Sequence, residues 1–151
     1  MPNWCSNTVN ISHEDPSKID IIEHECNSTQ PSQLFEKLFP NKENDTWDYD
    51  WCIENWGTKW EGTITEYNRN SPNSITIEMD TAWSPPINFY DHIVEKHGYN
   101  VEAYYYEQSV GFVGWYNNGD DESFEMIKSN WEILPVEIAT QYNLTEEDFN
   151  G

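Results

Sequence analysis

Basic side chains are scarce in this chain: seven Lys and Arg stand against 28 Asp and Glu, a formal charge of −21 over 151 residues. Phosphate backbones and anionic lipid headgroups repel such a surface, so direct binding to nucleic acid or to a membrane is not expected. Apolar runs are short as well. No stretch approaches the ~20 apolar residues that span a bilayer. The opening MPNWCSN has neither the basic nor the apolar region of a secretory signal.

Cysteine is sparse, and Cys5, Cys26 and Cys52 form no CxxC pair. That pattern suits reduced thiols better than a disulfide framework. His24 with Cys26, and His92 with His97, lack the paired spacing of a structural zinc site. No metal and no cofactor are expected. The common catalytic signatures are missing too: there is no GxSxG, no HExxH and no phosphate-binding glycine loop. Glu78 and Asp80 lie two apart on an expected strand and therefore share a face, where paired carboxylates can hold Mg²⁺ or share a proton. In a chain with 28 acids such a pair arises by chance. A non-enzymatic role is the expectation, with a metal-dependent enzyme on Glu78 and Asp80 as a distant alternative.

Aromatics are what the chain has in abundance: eight Trp, nine Tyr and six Phe. Disordered acidic chains lack that apolar surface, so this one is expected to fold, as a single domain over 1–151. Charge beyond the roughly 2–8 units that keep a small domain soluble opposes compaction by self-repulsion. The excess therefore points to function.

The element pattern predicts a strand over Thr8–Ser12 and a helix from Pro16 to Cys26 with Asp15 as N-cap. A short helix over Ser32–Phe39 stops at Pro40. Asn41–Asp50 reads as an acidic loop, and Trp47–Trp60 as an aromatic one. Strands TITEY (Thr63–Tyr67) and SITIEMDT (Ser74–Thr81) flank NRNSPN as a hairpin with a longer loop. A helix follows Pro85-Pro86 and ends at Gly98. Val101–Tyr106, Gly111–Tyr116 and Ser123–Ile127 read as strands, the last two joined by the Asn117-Asn118-Gly119 turn. Pro135 opens a last helix through Tyr142, and the tail TEEDFNG is expected to fray. The order is that of a ferredoxin-like split βαβ fold, α+β, with an antiparallel sheet, helices on one face and an extra C-terminal strand and helix. Its core spans about 1–127, and the C-terminal helix and acidic tail span 128–151.

Four motifs stand out: MPNWCSN at the start, WCIENWGTKW (Trp51–Trp60), TAWSPP (Thr81–Pro86) and YYYEQSVGFVGWY (Tyr104–Tyr116). Their sequence and order resemble the YubB-like family of phage- and plasmid-borne proteins, whose domain is described as ferredoxin-like. The resemblance spans most of 1–127. It implies the fold and a mobile-element setting, hence a cytoplasmic location in a bacterial host, but no defined activity. Physically the motifs read as aromatic packing corners. Gly57 permits a turn beside Trp56 and Trp60, Ser84 can cap the helix that the prolines open, and Gly111 and Gly114 allow close approach beside large rings. Lys59 is placed to pair with Glu54 or Glu107. A rival grouping makes Asn55, Trp56, Lys59, Trp83, Glu107 and Trp115 a pocket for a small molecule or peptide, with Tyr105 adding a fourth ring beside Trp56, Trp83 and Trp115.

The acid itself is unevenly placed. From His97 onward there are 11 carboxylates and one basic residue, Lys128. Asp120, Asp121, Glu122 and Glu125 follow the Asn-Asn-Gly turn; Glu43, Asp45, Asp48 and Asp50 lie in the loop before ENWGTKW. These eight are the expected partner-binding residues. Duplex DNA carries about one charge per 1.7 Å of axis, and carboxylates on a rigid frame can imitate it. The function expected is that of an acidic inhibitor from a mobile element, which blocks the basic nucleic-acid-binding groove of a host defence nuclease. A CRISPR effector such as Cas9 is the first target class and a restriction enzyme the second.

Overall fold

The computed structural model describes residues 3–41 and 48–149. Strands β1 (Trp4–Ser12), β2 (Thr63–Ser71), β3 (Ser74–Ala82), β4 (Asn100–Glu107), β5 (Phe112–Asn117) and β6 (Asp120–Glu125) form one antiparallel sheet in the order β2-β3-β1-β4-β5-β6. The first four strands have the ferredoxin-like arrangement, and β5 and β6 extend it as a meander.

Helices α1 (Pro16–Cys26), α2 (Leu34–Leu38), α3 (Tyr49–Asn55) and α4 (Ile87–His97) contribute the apolar residues that cover one face. Alternation along the strands supplies the other half of that core, including Val9, Ile11, Ile77, Val101 and Ala103, all at most 2% exposed. α1 starts as expected, with the Asp15 carboxylate accepting the Ser17 N–H at 3.0 Å. α4 ends at Gly98, whose φ of 73° is the left-handed cap that glycine adopts without strain.

The extra C-terminal helix α5 (Val136–Gln141) lies on the opposite face. Ile138, Leu144 and Phe149 pack there against Val113, with Tyr104, Trp115 and Trp131 around them. As far as Phe149 the tail does not fray: Thr145 and Asp148 form a capping box, and Phe149 is 1% exposed.

Three other local expectations are corrected. The segment read as loop contains α3, which Asp48 caps by accepting the Trp51 N–H at 3.1 Å. The β2–β3 connection is tight, because β2 runs on to Ser71 and pairs with Ser74 around Pro72-Asn73. Ser84 does not cap α4; Pro86 holds that position, and the Ser84 hydroxyl donates to the Gly57 carbonyl at 2.6 Å.

Candidate functional site

β6 closes the sheet at one edge and is exposed at nearly every position. Asn117 faces Asp120 in the ladder, leaving Asn118 and Gly119 as a two-residue turn with φ of 45° and 108°. Positive φ at both positions matches the right-handed twist of the strands, and Asn-Gly reaches it at little cost. Asn118 also anchors the tip, because its backbone N–H donates to Val101 O at 2.9 Å and its side-chain oxygen accepts the Val101 N–H at 2.7 Å. The acids that follow therefore stand on a fixed frame. Residues 100–125, which span β4, β5 and β6, contain six carboxylates and no Lys, Arg or His.

Strand alternation divides these acids between two faces. Asp121, Ser123 and Glu125 turn towards the helical side, where with Tyr105, Phe112, Ile87 and Met126 they line a cavity of about 790 Å³. Asp120 and Glu122 turn the other way. With Glu102, Tyr104 and Trp115 they line a second cavity of about 680 Å³, which Asp121 also borders. Successive same-face residues on a strand stand about 6.7 Å apart, so the carboxylates form a spaced row.

Of the tyrosines behind the row, Tyr105 holds it directly and Tyr116 ties β5 to α4. The buried Tyr105 phenol donates to Asp121 at 2.6 Å, and Tyr116 donates to Asp91 of α4 at 2.7 Å. Burial, and then the neighbouring carboxylate, pushes both phenols well above the ordinary tyrosine value. They remain donors at every physiological pH. Burial raises Asp121 itself, against the lowering effect of the Tyr105 hydrogen bond.

The remaining expected site residues separate. Asp48 caps α3, Asp50 lies exposed in its first turn, and Glu43 and Asp45 fall outside the described residues. Trp56 sits in the helical-side core, 5% exposed, whereas Trp115 packs on the opposite face. Lys59 Nζ lies 4.7 Å from the ring centroids of both Trp60 and Trp83, at an exposed end of the molecule that includes Trp4. Asn55 donates to Trp51 O within α3, and the fully buried Glu107 accepts the N–H groups of Ser109 and Val110. The six residues grouped as a pocket thus do not share one: Lys59 and Trp83 meet each other, while Trp56, Glu107 and Trp115 lie elsewhere. Of that group, Trp115 joins the acids of β6.

Glu102 and Tyr104 complete that cavity, and the sequence reading missed both. The available signal was their alternation on β4, which becomes informative only once the register sets Tyr104 beside Trp115 and Trp115 beside Glu122.

Nucleophilic and metal chemistry find little support in the geometry. Burial pushes the Cys5 and Cys26 thiols up to about 12 and Cys52 up to about 11, so all three are protonated at neutral pH. Glu78 accepts the Thr8 hydroxyl at 3.2 Å, and burial raises Asp80. Among the described residues no three His, Cys, Asp or Glu side chains gather closely enough to hold a metal ion. No helix among them is long and apolar enough to cross a membrane.

A family model described as the ferredoxin-like domain in Api92-like protein matches residues 55–141. The crystal structure of a protein api92 from Yersinia pseudotuberculosis is 24% identical, with a TM-score of 0.43. The match covers 62% of this chain and 33% of that one, so the chain spans about a third of the api92 length. No curated protein matches it in sequence.

Proposed function

This chain belongs to the Api92-like family, and we propose that it acts by binding rather than catalysis, its acidic sheet edge filling the basic nucleic-acid-binding groove of another protein. The observation that carries this reading is the uncompensated acid of β4, β5 and β6: six carboxylates and no basic residue. Four of them stand on β6, whose turn is anchored by Asn118 and whose Asp121 is held by Tyr105; Glu102 lies exposed on β4, and Glu107 is buried. A rigid array of this kind steers association with a basic surface and offers carboxylates where that surface would take phosphates. Arg forks in the groove would meet them in charge-assisted hydrogen bonds. No cofactor is required.

The finer reading is that the chain is a host-defence inhibitor carried by a mobile element. It rests on the YubB-like, phage-and-plasmid resemblance of the four motifs together with the charge. The target would be a CRISPR nuclease or a restriction enzyme, met in the cytoplasm of a bacterial host. The test is direct competition, in which purified chain is added to nuclease and labelled duplex DNA at several salt concentrations. The reading expects DNA release that weakens steeply as salt rises. DNA that stays bound at every salt concentration, across nucleases of both classes, would refute it.

A further inference from the structure

We infer that the cavity floored by Tyr104 and Trp115 receives the guanidinium of an arginine presented by the partner protein. This inference rests on the binding role proposed above and assigns its anchor.

The two rings lie side by side across β4 and β5, 6.2 Å between centroids and tilted by 44°, and both are half-buried. α5 and the segment after it cover the neighbouring part of this face, where Ile138, Leu144 and Phe149 close over Val113. The ring pair is therefore left at the border between that core and the open cavity. Around it stand Glu102, Asp120 and Glu122. Glu137 on α5 is close enough to contribute, after burial and Glu102, to raising the Tyr104 phenol.

The lining excludes most ligand classes by charge and shape. An anion meets the carboxylates of Glu102, Asp120 and Glu122, with Asp121 at the border. A purely apolar ligand would desolvate those carboxylates without pairing them, which is costly. A divalent cation needs several oxygens converging on one point, and the described residues offer no such convergence. A guanidinium satisfies the whole lining, because its flat face stacks on an indole or phenol while its edge donates to carboxylates placed around it. A lysine ammonium is more strongly hydrated and cannot stack, so it gains less from the same walls. At about 680 Å³ the cavity lies within the range of small-ligand sites and has room for a side chain with part of its backbone.

The test uses two probes of equal charge, hexa-arginine and hexa-lysine peptides, with affinity measured by fluorescence anisotropy at about 0.15 M salt. Wild type is expected to bind hexa-arginine about fivefold more tightly than hexa-lysine. In W115A and in the double variant E102Q/E122Q that ratio should fall to about one. Trp115 is partly buried, so W115A can lose packing; the double variant changes only exposed side chains and keeps the test valid. The Trp115 indole N–H resonance should shift on adding hexa-arginine to wild type. If both peptides bind equally and the indole resonance does not move, the arginine anchor is wrong while the acidic-edge reading stands. If neither peptide binds, both are wrong.

Discussion

The Tyr105 ring crosses directly over Gly114 to reach Asp121, donating its phenol across the intervening strand at 2.6 Å. A Cβ built on Gly114 would stand 2.5 Å from the Tyr105 phenol and closer still to the Glu122 carbonyl. Glycine is required here for space, since the acid on β6 is tied to a tyrosine on β4 by way of a strand with no side chain between them. G114A should cost about 2–3 kcal/mol, read as a lowered urea midpoint, because both obstacles are held in the sheet. A midpoint within error of wild type would mean that the Tyr105–Asp121 link does not constrain the edge.

Glu61 gives the fold an unusual pH dependence. Both its oxygens accept backbone N–H groups at the start of α2, from Phe35 at 2.9 Å and Glu36 at 2.8 Å. Burial nonetheless pushes its carboxyl up to about 7. The folded state thus holds a proton that the unfolded chain releases near pH 4.3. This contribution is fully present below about pH 4.3 and is lost as pH rises through 7. Wild type should gain stability as pH falls from 8 to about 5, and E61Q should gain less. Parallel pH profiles for the two proteins would contradict this account.

The C-terminal tail is a structural part of the second face. Phe149 is 1% exposed and packs on Trp131 at a centroid distance of 5.5 Å. F149A should cost about 3 kcal/mol in denaturant unfolding. Loss of well under 1 kcal/mol would mean that the tail does not close this core.

Much of the fold was legible where single residues act as punctuation. Asp15 and Pro16 announce α1, Gly98 ends α4, and Asn118-Gly119 turns β5 into β6. Legibility failed where aromatics hide periodicity. α3 carries Tyr49 and Trp51 on a seven-residue helix, too short for a stripe to emerge, and its one clear signal was Asp48 as a cap. β1 was read too short because Asn7 looks like surface. It is 1% exposed, donates to the Cys5 and Met79 carbonyls and to the Thr81 hydroxyl, and accepts from Tyr90. The capping box of Thr145 and Asp148 was visible but unused. At the site, the β6 acids and Trp115 were each recognised separately. Their union with Glu102 and Tyr104 depends on strand register, which no local pattern encodes.

The central claim is that the acid of the β6 edge does the binding. The most direct test compares wild type with D120N/D121N/E122Q/E125Q in DNA cleavage assays with Cas-type nucleases and restriction endonucleases. These four side chains lie at exposed positions, and D121N keeps an oxygen that can accept the Tyr105 phenol. The variant should therefore fold, with relief of like-charge repulsion offsetting the weaker hydrogen bond. Equal unfolding midpoints confirm this before inhibition is compared. The account predicts that wild type suppresses cleavage by at least one of these nucleases and that the variant loses at least tenfold in inhibitory potency, a loss of about 1.4 kcal/mol or more. Equal inhibition by the folded variant and wild type, or no inhibition by either across both nuclease classes, would contradict it.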